Sequence, residues 1–207
     1  MTAAARERAA LVETMRAVGP DAPTLCGDWT TRDLAAHLVL RERRPDAAAG
    51  IVVSTLAGYT ARKQRELADG TDWAGLLAKV ASGPPPYSPF KLLDPVVNTT
   101  EMFIHHEDVR RAVPGWQPRE LDDDLAAALR RQVRLLSRMS LGRAPAEVTL
   151  QDSDGATLAS TGKGPRCTIT GAAPELLLFL SGRDAARVEF VGDADTVEQV
   201  RAARRRL

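Results

Sequence analysis

Aromatic residues, cysteine and histidine are all scarce in this 207-residue chain. Phe, Trp and Tyr together make up 4% of the residues, so the core is expected to pack mainly through Leu, Val and Ala. The two cysteines, Cys26 and Cys167, are far apart and lie in segments of different character. This argues against a disulfide framework and predicts reduced thiols.

Long apolar runs and an excess of one charge are absent as well. No uninterrupted apolar stretch approaches the roughly 18 residues of a membrane-spanning helix, and the N-terminus lacks a basic segment followed by an apolar core. We therefore expect a cytoplasmic protein with no membrane partner. Lys and Arg number 28 against 27 Asp and Glu, so no broad basic surface predicts a nucleic-acid partner. The basic run at residues 204–206 is expected to end a helix, where cations complement the helix dipole.

The hydrophobic periodicity predicts helices through the first two thirds of the chain and strands only near its end. The predicted helices of the first part span residues 3–18, 31–44, 46–68, 72–81, 95–113 and 121–141, with a stiff proline-rich loop at 83–89. Strands are predicted at 148–150, 157–160, 166–170 and 187–191, and further helices at 174–181 and 196–206. The sequence thus predicts an α+β protein, with a helical bundle over residues 1–142 and a small α+β domain over residues 146–207.

Glu101 and His105 carry the most specific chemical signal in the sequence. They are four residues apart, which on a helix stacks their side chains on one face. His37, on an earlier predicted helix, shares a face with Leu34 and Leu38, and this directs it toward the interior. Two imidazoles and one carboxylate are a ligand set of open, catalytic metal sites. We therefore predict that His37, Glu101 and His105 bind a divalent metal ion, with zinc as the expected ion.

An ordinary ion pair is the alternative to a metal at these positions. Glu101 would then pair with a cation such as Arg41, and His37 and His105 would be hydrogen-bonded core histidines. A carboxylate on an apolar stripe is costly without a partner, so either arrangement would satisfy it. All three histidines of the chain fall in two inward-facing segments beside this Glu, and their joint placement favours the metal.

Two residues that follow the Glu-x-x-x-His pair invite separate interpretations. Asp108, three residues after His105, is placed to orient the imidazole or to act as an extra ligand. His106 lies roughly 140° around the helix from Glu101 at about 100° per residue. It is therefore expected to pack or to support the site rather than to bind the metal.

Cysteine and arginine side chains could also contribute to the site. Cys26, just before the second helix, is expected to be a packed thiol, and a soft fourth ligand or a nucleophile is the alternative. Arg41 and Arg110 lean inward and are candidates for binding a cofactor or substrate carboxylate near the metal. Surface salt bridges are the alternative for both arginines.

The segment from Cys26 to Leu38, CGDWTTRDLAAHL, together with Glu101 to His105, resembles a known family. It is similar to the N-terminal domain of the mycothiol-dependent maleylpyruvate isomerases, which belong to the DinB-like metal-binding four-helix bundles. The resemblance covers most of residues 1–142 and implies that the family's metal ligands correspond to His37, Glu101 and His105. Residues 37–50 and 105–111 look closest to an uncharacterised actinobacterial branch. The C-terminal part is similar in architecture, though not in motif, to the small α/β, sterol-carrier-like domain of the isomerase.

The resemblance implies mycothiol as a possible cosubstrate. The leading hypothesis is a thiol-dependent metalloenzyme, of transferase or isomerase type, that activates a small thiol for transfer or addition to an electrophilic substrate. A non-catalytic metal- or ligand-binding protein and a metal-dependent hydrolase of thiol conjugates are the alternatives. The expected partners are the thiol and the electrophile, and the chain is expected to be a monomer or a homodimer.

Overall fold

The structure is a computed structural model that describes residues 1–48, 53–88, 91 and 95–204. Contacts divide the chain into two compact units, Met1–Pro118 and Arg119–Leu207. The first unit is helical, and the second combines helices with a four-stranded sheet, which confirms the predicted α+β class. None of the described helices is both long and apolar enough to cross a bilayer.

A side-chain cap marks the start of the second helix of the first unit. The described helices are α1 (Ala3–Val18), α2 (Thr31–Arg43), α3 (Pro45–Ala48), α4 (Ala57–Gly70), α5 (Trp73–Ser82) and α6 (Pro95–Arg110). Thr30 and Asp33 form a capping box at the start of α2: Thr30 Oγ1 accepts from the Asp33 N–H at 3.3 Å, and the Asp33 carboxylate accepts from the Thr30 N–H at 2.9 Å. α2 therefore begins where the sequence predicts.

Two predicted helices have different bounds in the structure. The helix predicted over 46–68 is interrupted in its described part, because a 3₁₀ turn at Ser54–Leu56 precedes α4; residues 49–52 lie outside the described residues. α6 ends at Arg110 rather than at residue 113. Residues 111–115 follow it as a turn, in which Gly115 adopts a φ of +83°, a conformation that favours glycine.

The core of the first unit lies between α1, α2, α5 and α6. α1 packs against α6, while α2 packs against α4 and α5. Its fully buried side chains include Leu11, Met15, Leu34, Leu38 and Met102. Because leucines on both sides of His37 are buried in this core, the face of α2 that carries His37 is fixed toward α6.

The second unit is built around a mixed sheet. Its elements are α7 (Asp123–Leu141), β1 (Glu147–Gln151), β2 (Thr157–Thr161), β3 (Arg166–Thr170), α8 (Ala173–Leu180), β4 (Glu189–Val191) and α9 (Ala194–Arg204). The strand order is β2-β1-β3-β4, in which β1 and β3 are parallel and the outer pairs are antiparallel. Leu150 pairs with Ala159 on one side and with Ile169 on the other, and all three are buried.

The position of α7 differs from the predicted domain organisation. The sequence prediction places the boundary between residues 142 and 146, which would include α7 in the helical bundle. In the structure α7 packs on α8 and β2, and contacts group it with the second unit. Its amphipathic stripe, including Leu125, Leu129 and Val133, is the face that is buried. Residues 205–207, with the last two arginines of the basic run, lie outside the described residues.

Candidate metal centre

The two helices α2 and α6 bring His37, Glu101 and His105 together. His37 and His105 are each only 8% exposed, and the Glu101 side chain is 27% exposed. One ligand atom from each of the three residues lies within 4.8 Å of the other two. The predicted set of metal-ligand candidates therefore converges in space, although two of its members are more than sixty positions from the third.

The separations between the donor atoms suit a tetrahedral ion. Glu101 Oε1 lies 3.2 Å from His105 Nε2 and 4.0 Å from His37 Nε2. Ligand atoms bound at about 2.0 to 2.2 Å around a tetrahedral ion are separated by about 3.4 Å, which falls between these two distances. The nitrogen, nitrogen and oxygen donors present here therefore fit a divalent transition metal in both type and spacing.

Asp108 holds the imidazole of His105 from the opposite side. The His105 Nδ1 atom lies 2.9 Å from Asp108 Oδ2, and Asp108 is completely buried. A carboxylate that accepts the Nδ1–H keeps a proton on that nitrogen, so in the neutral imidazole the lone pair is on Nε2, which faces Glu101. The geometry matches the orienting role that the sequence predicts for Asp108.

Cys26 contacts the same carboxylate from the loop between α1 and α2. Its Sγ lies 3.1 Å from Asp108 Oδ2, and the thiol is half-buried. Cys26, His105 and Asp108 also place one ligand atom each within 4.8 Å of one another. Cys26 is thus linked to His105 through Asp108 as well as being a candidate ligand in its own right.

Arg41 lies beside the candidate ligands and Arg110 does not. The Arg41 Nε is 3.4 Å from Glu101 Oε1 and is buried, so the ion pair of the alternative interpretation is also present in the structure. Arg110 donates to both carboxylate oxygens of Glu107, at 2.9 and 3.0 Å, and to the Gln117 carbonyl at 3.2 Å. Among the described contacts none joins Arg110 to the three candidate ligands, and its role toward a cofactor stays a prediction.

His106 faces α1 instead of the candidate ligands. Its Nδ1 lies 2.8 Å from the Glu7 carboxylate, and its Nε2 lies 2.8 Å from the Thr14 hydroxyl. Both ring nitrogens therefore have partners in the helix packing. This agrees with the expectation that His106 packs within the protein.

The three candidate ligands have shifted pKa values. Burial lowers the pKa of His37. Burial also opposes a charge on His105, but hydrogen bonds to Asp108, Cys26 and Glu101 outweigh it and raise the pKa of His105 well above its ordinary value. Burial would raise the pKa of Glu101, yet hydrogen bonds to His105 and His37 and the charges of His105 and Arg41 hold it well below its usual range. In the metal-free chain Glu101 is therefore ionised and His105 favours its protonated form.

A cavity of about 440 Å³ adjoins His37. The Trp29 ring packs against the His37 ring with a centroid separation of 5.1 Å and forms part of the cavity wall. The other lining residues come from the preceding loop, α2 and α4: Asp28, Asp33, Ala57, Thr60, Ala61, Gln64 and Arg65. A small ligand held there would lie next to one of the candidate metal ligands.

Some supporting residues are not apparent from the local sequence pattern. Trp29 fits the pattern of a hydrophobic staple onto Leu34, and its contact with His37 is an additional role. Glu7 lies four residues before Leu11 and thus on the buried face of α1, where a carboxylate needs a partner. That spacing is the signal that could have pointed to the Glu7–His106 pair.

Comparison with known proteins shows that this chain has a fold similar to that of two solved structures. No protein-family model matches the chain, and no curated protein matches it. A crystal structure of the mycothiol-dependent maleylpyruvate isomerase is similar with a TM-score of 0.55 and 14% identity, covering 93% of this chain and 92% of that chain. A variant of that enzyme with one histidine replaced by alanine is similar with a TM-score of 0.54 and 13% identity, over the same shares of the two chains. At such identities the likeness concerns the fold alone.

Proposed function

We propose that this chain is a metalloprotein that binds a divalent ion through His37, Glu101 and His105 and uses it to activate a small thiol for transfer or addition to an electrophile. The observation that supports this most directly is the convergence of two imidazole nitrogens and one carboxylate oxygen within 4.8 Å. The fold likeness to a mycothiol-dependent isomerase supports the choice of a thiol as cosubstrate.

A bound divalent ion would favour the thiolate form of a coordinated thiol near neutral pH. The protein's own contribution is to position and balance the groups around it. Asp108 keeps the proton of His105 on Nδ1, so that Nε2 can act as a donor. Arg41 places a buried positive charge beside Glu101, where it can attract an anionic group of a substrate.

The cavity beside His37 is the proposed site for part of the thiol or the electrophile. Its volume of about 440 Å³ suits a small organic molecule. Trp29 offers an aromatic surface, and Asp28 and Arg65 offer charges of both signs. These groups can orient a polar ligand beside the imidazole of His37, which also lines the cavity.

Metal analysis of purified protein tests the metal part of this proposal. His105→Gln removes a proposed ligand, and His106→Gln is the matched control because His106 binds Glu7 and Thr14 instead. Wild type and His106→Gln are expected to retain about one equivalent of zinc after loading and dialysis, while His105→Gln retains little. Equal zinc content in all three proteins would overturn the metal site.

Thiol consumption tests the catalytic part. Zinc-loaded protein is incubated with mycothiol and a panel of electrophiles, including maleylpyruvate, and the products are identified with and without free thiol. Thiol-dependent conversion that His105→Gln abolishes supports the proposal. Metal binding without turnover would instead support a non-catalytic binding protein, and cleavage of a thiol conjugate without free thiol would support a hydrolase.

A further inference from the structure

Two side chains from different parts of the first unit contact Asp108 Oδ2. His105 approaches it from within α6 at 2.9 Å, and Cys26 approaches it from the loop before α2 at 3.1 Å. Asp108 has no solvent exposure, so protein groups must compensate its charge. The thiol of Cys26 thus helps to satisfy the same oxygen that orients His105.

Backbone contacts fix Cys26 independently of the metal ligands. The N–H of Leu25 donates to the main-chain carbonyl of Asp108 at 3.0 Å, which ties the loop to α6. The N–H of Cys26 donates to Thr24 Oγ1 at 3.1 Å, and the Cys26 carbonyl accepts from the N–H of Trp29 at 3.3 Å. Gly27, with a φ of +68°, provides the turn between them. The thiol is therefore presented to Asp108 by a compact, hydrogen-bonded turn.

The same turn touches both candidate histidine ligands. Cys26 reaches His105 through Asp108, while Trp29, three residues later, packs against the ring of His37 at 5.1 Å. Groups that hydrogen-bond or pack against a ligating imidazole set its orientation and its strength as a donor. The turn is thus placed to fix both imidazoles.

We infer that Cys26 is a positioning residue of the metal centre, whose thiol acts through Asp108 to hold His105 with Nε2 toward the metal. The inference rests on the proposed metal site at His37, Glu101 and His105. A thiol that is hydrogen-bonded to a buried carboxylate restricts how that carboxylate can rotate, and the carboxylate in turn restricts the imidazole. Loss of the thiol therefore weakens metal binding even though the three ligands remain.

The test measures zinc dissociation constants by chelator competition. Cys26→Ala removes the S–H donor and is expected to weaken zinc binding about tenfold, the lower end of the effect of losing an outer hydrogen-bond partner. Cys26→Ser keeps a donor and is expected to bind zinc nearly as wild type does. Cys167→Ala, which removes the buried thiol of β3, is the matched control and is expected to leave zinc affinity unchanged.

A double-mutant cycle separates positioning from direct ligation. Asp108→Asn alone is expected to weaken zinc binding about 10- to 100-fold. Adding Cys26→Ala to Asp108→Asn is expected to cause no further loss, because Cys26 acts through Asp108. A full tenfold further loss would mean that Cys26 acts on His105 or on the metal directly and not through Asp108, and this would overturn the inference. An intense sulfur-to-metal charge-transfer band in the cobalt-substituted wild type would overturn it as well.

Alkylation of the folded protein provides a route that does not depend on how the Cys26 variants fold. In the Cys167→Ala background N-ethylmaleimide can modify only Cys26, and the modified protein is expected to bind zinc at least tenfold more weakly than the unmodified protein. Unchanged zinc affinity after complete modification, or in Cys26→Ala, would overturn the inference. Wild-type protein that binds no zinc would instead overturn the proposed function on which the inference rests.

Discussion

The Arg41 guanidinium and the Glu101 carboxylate form a contact between α2 and α6, with Nε 3.4 Å from Oε1. The same oxygen lies 3.2 Å from His105 Nε2. In the metal-free chain the buried Arg41 guanidinium therefore contacts the same oxygen that a bound metal would need. Arg41 stabilises the ionised carboxylate, but it also competes for it.

Replacement of Arg41 by Met is expected to tighten zinc binding about tenfold, equivalent to about 1.4 kcal/mol. The variant removes both a competitor for Glu101 and a positive charge close to the ion, while Met retains an apolar stem. Chelator competition measures the change. Arg110→Met is the control, because Arg110 pairs with Glu107 and is expected to leave the affinity unaltered. Weaker zinc binding by Arg41→Met would show instead that Arg41 orients the carboxylate.

The stability of the metal-free protein should depend on pH through His105 and Glu101. The pKa of His105 is raised from its ordinary 6.5, so its stabilising contribution is complete below about pH 6.5 and is lost as pH rises through the folded-state value. The pKa of Glu101 is lowered from 4.5, so its contribution is present above about pH 4.5 and is lost as pH falls through the folded-state value. Together these two groups stabilise the folded state most between about pH 4.5 and pH 6.5.

Urea unfolding of metal-free wild type and His105→Gln between pH 5 and 9 measures the contribution of His105 to stability. The stability advantage of wild type over the variant is expected to shrink as pH rises above 6.5. Zinc binding should show the opposite trend, because the ion must displace a proton from His105 and so binds more tightly at higher pH. A constant difference in unfolding free energy across this range would contradict the raised pKa.

Replacement of His106 by Ala should affect stability without affecting the metal. The substitution removes the partner that Glu7 and Thr14 contact at 2.8 Å inside the helix packing. The free energy of unfolding is expected to fall by about 1 to 3 kcal/mol. Zinc stoichiometry should stay at the wild-type value, and its loss would show that His106 belongs to the metal centre.

A buried ion pair elsewhere in the first unit provides a separate stability test. Arg8 pairs with both carboxylate oxygens of Glu42 and also donates to the Val80 carbonyl at 2.9 Å. Glu42 is 1% exposed, so Glu42→Ala leaves a buried guanidinium without its charge partner and is expected to cost about 3 to 5 kcal/mol.

Combining Arg8→Met with Glu42→Leu is expected to recover most of this loss, because two apolar side chains can replace a buried pair. Glu13→Ala is the control, since the Arg16–Glu13 pair is exposed and should contribute no measurable stability. Denaturant unfolding measures all three variants. An equal loss of unfolding free energy in Glu42→Ala and in the double variant would show that packing, not charge, determines the result.

The candidate ligands could be predicted from the sequence because their signals are local. Glu101 and His105 follow the helical period, and the leucines around His37 identify its face as buried. The capping box of Thr30 and Asp33 likewise depends on residues three apart, and it fixes where α2 begins. The structure then brings these two helices together.

The parts that could not be predicted depend on which element a buried face packs against. The stripe of α7 fits a helical bundle as well as it fits the layer that covers a sheet, and periodicity alone does not choose between them. The pairing of Arg110 with Glu107 is different, because it is a contact between residues three apart on α6 that the helical spacing could have indicated. Contacts between separate elements, such as the packing of α7 on α8 and β2, leave no regular spacing in the chain.

The two helices that line the cavity beside His37 contribute different kinds of residue. α2 supplies His37 itself, whereas α4 supplies Ala57 and Ala61, which are small, and none of the candidate ligands. Bulkier side chains at these two positions would narrow the space for a guest molecule while the donor atoms stay where they are. Substitutions at these two positions can therefore change which ligand sizes the cavity admits, while the candidate metal ligands stay unchanged.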